Sequence, residues 1–353
     1  MSEITKIDKN FALPANIERE GLVLKNALEA PFRIHGVFHD GDRFRRVPRE
    51  VADITSEKVA RLSKYTSGGR VRFVTDSPYI VIKSVMECKY DLSIMTLAGF
   101  GGFDVYACED GEDRYVKTLI PPLDMKTGYE SVVDFDGEPK ERLITINLPL
   151  YSQVIDLFIG LKEGAVLKAA PDYDISVPIV YYGSSITMGG CATHPGVCYE
   201  PIVSRRFNAD FINLGFAGAA KGEPVMADYV ATLDMSLFVL DYDHNATLQQ
   251  YAETHEHFYK TVRSKNPDVP IIIMTRPKYK NHLVDEEYER IEIARKTYEN
   301  AKARGENVYF IPGYELMTIA RGDGVVDGCH PTDLGFYSMA QRLSEEIEKI
   351  LKK

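Results

Sequence analysis

Long apolar runs are missing from this 353-residue chain. No stretch approaches the ~20 consecutive apolar residues that cross a bilayer, so no transmembrane helix is expected. Basic residues are in deficit: 42 lysines and arginines stand against 52 aspartates and glutamates, a net charge of −10 spread along the chain. That balance argues against nucleic acid or an anionic membrane surface as partner, because both need basic patches. Cysteine is scarce. Five residues at irregular spacing, none in a CxxC pair, make no disulfide framework, and the spacing is too loose for a zinc site, so no metal is expected. The start, Met1-Ser2-Glu3-Ile4-Thr5-Lys6-Ile7-Asp8, lacks the apolar core of a signal peptide. A reduced, cytoplasmic protein fits these absences. What is present is ordinary for a globular protein, 44% hydrophobic and 27% charged, at a length that allows two domains.

Two periodicities divide the chain. Up to about residue 170, short segments alternate apolar and polar residues: Arg70–Thr75, Tyr79–Val85 and Leu143–Leu148, with the turn Asp76-Ser77-Pro78 between the first two. Period-two patterns punctuated by Gly, Pro, Asp and Ser predict an antiparallel sandwich. One short helix is expected over Asp53–Leu62, and the glycine-rich stretch Ala98–Tyr106 is expected to bend or bulge a strand. From about Asp174, apolar strands (Ile179–Tyr182, Phe211–Leu214, Leu237–Leu240, Ile271–Met274, Val308–Ile311) alternate with amphipathic segments (Pro201–Phe207, Glu223–Ala231, Leu248–Lys265, Asp285–Arg304, Asp333–Lys352). That alternation predicts a parallel sheet with helices on both faces and a ligand site at the carboxyl ends of its strands.

The residues with chemistry gather at those ends. Gly183-Ser184-Ser185-Ile186-Thr187 follows the first apolar strand, and the turn is expected to open a helix whose dipole faces the serine hydroxyl. Ser185 is the candidate nucleophile. It needs a base, and Asp327-Gly328-Cys329-His330 supplies one: His330 to take the proton, Asp327 to hold the ring and stabilise the imidazolium. Charge on a tetrahedral intermediate needs donors, and the backbone N–H groups of Ser185 and Gly218 with the Asn245 side-chain amide could provide three. A plain N-cap serine, a capped turn at Asp327–Asp333, a turn glycine at 218 and an Asx turn at 245 are the structural alternatives.

Four segments in this order resemble the SGNH (GDSL-type) hydrolase superfamily: Gly183–Thr187, Asn213–Gly218 with Gly218 as the oxyanion glycine, Asn245, and the final Asp327-x-x-His330. Gly102-Phe103-Asp104-Val105-Tyr106 is similar to the GxDLY segment of a bacterial subgroup in which a β-sandwich precedes the hydrolase. The resemblance implies a flavodoxin-like three-layer α/β/α domain over 174–353, preceded by a jelly-roll-like antiparallel β-sandwich domain over 1–173. It implies ester hydrolysis, commonly of acyl groups on carbohydrates or other small molecules, with no metal or organic cofactor. Two positions depart from the pattern: Ser184 replaces an aspartate, and Asp243-His244-Asn245-Ala246 replaces Gly-x-Asn-Asp.

The expected partner is a small acyl ester, with an acylated sugar favoured. Exposed sandwich edges leave a homo-oligomer open. His194, in the loop after Ser185, and Asp104 and Tyr106, on the glycine-rich stretch, are candidates to line the substrate pocket. For Asp104 and Tyr106 a bulged, packed strand is the favoured alternative. His255 and His257 are read as exposed helix residues without a chemical role. Two other functions stay open: a carbohydrate-binding protein with a degenerate hydrolase half, and a thioesterase or amidase.

Overall fold

The computed structural model describes residues 17–109 and 111–352, so the Met1–Asp8 start lies outside the described residues. The fold is mixed α/β. Five parallel strands, Ile175–Gly183, Ala209–Gly215, Leu237–Asp241, Ile271–Met274 and Val308–Ile311, form one sheet. Numbered along the chain, their spatial order is 2-1-3-4-5, the flavodoxin-like order. Ile179–Gly183, Leu237–Asp241 and Ile271–Met274 are wholly buried, as expected where helices cover both faces, while the start of the first strand and the middle of the fifth are partly exposed. The order reverses at the first strand, which places a crevice beyond Gly183 and Asp241.

The earlier residues build two large antiparallel sheets, besides a small pair of Phe38–His39 with Phe44–Arg45. One orders Leu22–Asn26, Gln153–Lys162, Tyr79–Glu87 and Gly128–Asp134. The other orders Leu167–Ala169, Arg70–Thr75, Arg142–Asn147, Phe103–Glu109 and Glu112–Leu119, with Arg33–His35 also on Arg70–Thr75. Alternate residues of both share one core: Ile80, Ile82, Leu157 and Ile159 from the first, Val71, Phe73, Val105, Ile144 and Ile146 from the second. That alternation is the period-two pattern of the sequence realised as a sandwich.

A second core crosses between the halves. Val47, Ala52, Val59, Leu62, Met95, Phe100 and Leu150 pack with the strands and helices of the parallel-sheet half. Fully buried Arg46 donates to the carbonyls of Leu62 (2.8 Å) and Tyr65 (2.8 Å) on its own side, and of Asn213 (3.1 Å) and Gly215 (2.6 Å) across the junction. Its guanidinium also lies 4.8 Å from the Phe216 ring centre. Burial lowers its pKa to about 9, against the raising influence of Tyr151 and Glu200.

Three local expectations are corrected, and that of a bulge within Ala98–Tyr106 holds beside a short helix. Ser184–Cys191 is a run of turns, not a helix start; the next α-helix begins only at Tyr199. Positive φ at Gly189 (89°) and Cys191 (75°) stops helical propagation, so no helix dipole of length faces Ser185. The single helix expected at 53–62 is two, Arg49–Thr55 and Glu57–Leu62, split by an extended Ser56 (φ −172°) whose hydroxyl caps the second. Within the glycine-rich stretch, Leu97–Gly101 is a short helix capped by Thr96, and the strand bulge falls later, between Val105 and Tyr106. His255 is fully buried, not exposed, with Nδ1 2.8 Å from the Thr297 hydroxyl, and burial drives it down to about 3. Among the described residues no helix is long and apolar enough to cross a membrane.

Candidate active site

Ser185 sits two residues past the first parallel strand. Gly183 is obligatory there: a Cβ would collide with the Thr187 side chain and the Asp241 carbonyl. The turn beyond it is closed by backbone bonds from Gly190 N–H to the Ser185 carbonyl (2.7 Å) and from Met188 N–H to the Ser184 carbonyl (3.0 Å). The Ser184 hydroxyl accepts from Ile186 N–H at 3.2 Å, so the serine that replaces the usual aspartate holds this turn.

The loop ahead of the last helix brings His330 to the same point. The Ser185 hydroxyl lies 2.8 Å from His330 Nε2, and His330 Nδ1 lies 2.8 Å from Asp327 Oδ2. An ionised carboxylate can only accept, so Nδ1 carries the proton and Nε2 is left to accept from the serine. The other Asp327 oxygen accepts from the N–H groups of His330 (2.7 Å) and Cys329 (3.0 Å) across Gly328, whose φ is +80°. Burial works against the Asp327 charge, but these bonds outweigh it and hold the carboxyl below its ordinary value.

Two neighbouring loops complete the crevice. Gly218 adopts φ +62°, and its carbonyl accepts from Lys58 Nζ at 3.1 Å. Asn213, in the strand before it, donates to the Thr187 carbonyl (2.5 Å) and to buried Glu200 (3.0 Å), tying the two turns together. Asp241, at the end of the third strand, accepts from Thr187 Oγ1 (3.0 Å) and Tyr199 OH (2.9 Å). Burial pushes Asp241 up to about 7. Four residues on, the Asn245 side-chain oxygen is buried and makes no hydrogen bond.

Ser185, His330, Gly218 and Asn245 line one cavity of about 330 Å³. Asp327 stands behind His330. Its other wall comes from the sandwich half: Lys58, Leu92, Ile94, Met95 and Tyr151. Sequence reasoning missed that wall. Its one signal was Leu92 and Ile94, apolar residues in a loop that stay about two-fifths exposed.

The three expected pocket residues lie elsewhere. Asp104 is fully buried, accepting from Asn147 Nδ2 (2.7 Å), His194 Nδ1 (2.6 Å) and Gly196 N–H (2.5 Å). It anchors the loop that follows Ser185 to the sandwich, and His194 is consumed by that anchor and stacked on Tyr115 at 4.8 Å. Tyr106 lines a different, larger cavity of about 640 Å³ with Arg72, Tyr173 and Arg205, which contains none of the residues around Ser185. The larger cavity is therefore not the one that holds Ser185 and His330. Among the described residues no group of three or more His, Cys, Asp or Glu could hold a metal ion.

Residues 176–348 match the GDSL-like lipase/acylhydrolase family, and residues 23–167 match the GxDLY N-terminus of SGNH-hydrolase-type esterases. A protein from Bacteroides ovatus described as a GDSL-like lipase is 29% identical, with 94% of this chain and 98% of that one covered at a TM-score of 0.84. A salicylyl-acyltransferase from a tetracycline biosynthetic pathway is 21% identical over 94% and 98% of the two chains, at 0.76. An acetyl xylan esterase from the rumen bacterium Butyrivibrio proteoclasticus is 14% identical over 94% and 99%, at 0.61, and shares the fold. No curated protein sequence matches. With both halves matched and the sheet order in agreement, the chain belongs to the SGNH (GDSL-like lipase/acylhydrolase) family, with a GxDLY N-terminal region, and is an ester hydrolase of that family.

Proposed function

We propose that Ser185, His330 and Asp327 are the catalytic triad of a serine esterase that removes small acyl groups from a carbohydrate or similar small molecule. The observation that carries this reading is the unbroken hydrogen-bond chain from the Ser185 hydroxyl through His330 to Asp327, opening into a cavity that also holds Gly218 and Asn245. Ser185 attacks the ester carbonyl while His330 Nε2 takes its proton, and Asp327 stabilises the imidazolium. The Ser185 and Gly218 N–H groups and the Asn245 amide receive the oxyanion. His330 then returns the proton to the departing alcohol, water attacks the acyl-enzyme, and the cycle closes.

Two features support a small acyl group on a larger alcohol. The cavity is modest, and Leu92, Ile94 and Met95 give it an apolar side suited to an acyl chain. Solved structures of the same fold include family two carbohydrate esterases and an acetyl xylan esterase. Residues 1–173 and 174–353 act on this reading as two domains, the first walling the cavity of the second. The test is release of acetate from acetylated xylo-oligosaccharides, with an aryl acetate and an acyl-thioester in competition, by wild type and by Ser185→Ala. Activity that falls by ~10⁴-fold or more in the variant, with sugar esters preferred, is the expected result. Sugar binding by the folded wild type without turnover of any ester would instead make the chain a binding protein, and preference for the thioester would make it a thioesterase.

A further inference from the structure

Beside the serine relay, the same cavity holds a second one. Cys329, between Asp327 and His330, presents its sulfur 3.8 Å from His244 Nε2, and His244 Nδ1 lies 2.5 Å from Asp243 Oδ1. Asp243 is fixed in turn by the Arg276 N–H, 2.8 Å from its second oxygen, and its backbone carbonyl accepts from buried Arg290 at 2.7 Å. The Arg276 guanidinium reaches the sulfur as well, at 3.9 Å. Cysteine, imidazole and carboxylate thus stand in the order that activates a thiol. The altered third block, Asp243-His244, supplies two of the three members.

The charges around the sulfur point the same way. His244 and Arg276 face it from the loops after the third and fourth parallel strands, with Lys278 farther along the latter and Asp327 on its own turn. Asp327 is the negative group on the sulfur's own turn, while Asp243 pairs with His244 and Glu287 with Arg276 and Lys278. Burial opposes the Cys329 thiolate, but His244 and Arg276 outweigh it and bring the thiol below its ordinary value. Burial likewise opposes the His244 imidazolium, and Asp243 overrides it, raising the ring to about 9. Cys88, Cys191 and Cys198 behave oppositely: burial pushes their thiols up.

We propose that Cys329 is a second nucleophile of the cavity, activated by His244, Asp243 and Arg276, which reacts with small-molecule disulfides and so closes the cavity to acyl esters. In the step, the Cys329 thiolate attacks one sulfur of the disulfide RS–SR. A Cys329–S–S–R bond forms, the RS–SR bond breaks, and RS⁻ leaves with the electron pair. Excess thiol reverses the exchange. With glutathione disulfide the adduct is a tripeptide tethered inside a cavity of about 330 Å³ whose wall includes Ser185 and His330. Reactivity of Cys329 stands by itself; its effect on turnover rests on the triad reading above.

The experiment labels the full native chain with iodoacetamide across a pH series and maps adducts by peptide mass, then treats it with glutathione disulfide and assays an aryl acetate. Cys329 is expected to react about tenfold or more faster than Cys88 at about pH 6, with its rate midpoint below that of Cys88. His244→Gln should slow Cys329 labelling about tenfold at that pH. Glutathione disulfide should inhibit wild type, dithiothreitol should restore it, and Cys329→Ser should respond to neither relative to its own untreated control. Wild-type Cys329 labelling no faster than Cys88 overturns the proposal, and needs no variant to fold. Adduct at Cys329 with undiminished ester turnover overturns the closing of the cavity. Adduct on a protein with no ester turnover at all refutes the esterase reading and leaves the activated thiol standing.

Discussion

Removing the Asp104 carboxylate should loosen the junction between the halves more than it harms the chemistry. Its Oδ2 accepts from His194 Nδ1–H and Gly196 N–H, and its Oδ1 from Asn147 Nδ2–H, all within 2.7 Å, the last two away from solvent and the first half-buried. Bonds to a charged group contribute roughly 1.5–3 kcal/mol each, so three would sum to about 4.5–9. The buried carboxylate itself costs several kcal/mol to desolvate, which offsets part of that sum. Asp104→Ala keeps none of the bonds and strands three donors, two of them buried, so the net loss should be about 3–5 kcal/mol. Asp104→Asn keeps one acceptor but aims an N–H₂ group at a donor, and should lose about 1–3 kcal/mol. The loop has a second tether, from Thr193 N–H and Oγ1 to Asp333 at 2.8 and 2.5 Å, which leaves the Ser185 turn in place. Turnover at a temperature where both proteins are folded should therefore fall by less than about tenfold. Urea unfolding read by far-UV circular dichroism measures the difference from the midpoint at constant slope. An Asp104→Ala midpoint within about 1 kcal/mol of wild type, at unchanged slope, would refute the reasoning.

Three further outcomes are expected. Asp327→Asn should fold normally and lose about 10⁴-fold in kcat, because an amide beside His330 Nδ1 favours the wrong tautomer, as steady-state kinetics on an aryl acetate would show. Asn245→Ala should lower kcat by ~10²–10³ with little change in KM if the amide meets the oxyanion; a loss confined to KM would assign it to ground-state binding. Asp241 is raised from 3.8 to about 7 by burial, so the fold binds its proton more tightly than the unfolded chain does. Its contribution is full below about pH 4 and is lost as the pH rises through about 7. Asp241→Asn mimics the protonated form, so its stability relative to wild type should climb across that window and then level off.

How much was legible follows from the range of the interactions. Strands such as Ile271–Met274 and Val308–Ile311 are closed apolar runs between breakers, and their bounds could be read directly. Ser185, His330 and Asp327 stood out because each lies at the end of a strand or before the last helix, where such a fold assembles ligands. The turn after Ser185 misled, since Gly-Ser-Ser-Ile-Thr reads as a capped helix until Gly189 and Cys191 take positive φ. The pocket role considered for Asp104 and His194 failed for another reason, though the packed-strand reading favoured for Asp104 agrees with its burial. They pair across 90 residues of sequence, and no local pattern distinguishes a buried anchor from a pocket residue. The same holds for His255, which sits on a helix rich in charge yet faces the core, and for the cavity wall at Leu92–Met95.

The central claim is that Ser185 is an armed nucleophile with His330 as its base. Intact-protein mass after incubation with a fluorophosphonate tests it most directly, with wild type, Ser185→Ala and His330→Ala compared in parallel. The account predicts a single adduct on wild type, none on Ser185→Ala, and slowed formation on His330→Ala. A folded wild type that takes no adduct, or an adduct that persists in Ser185→Ala, would contradict it.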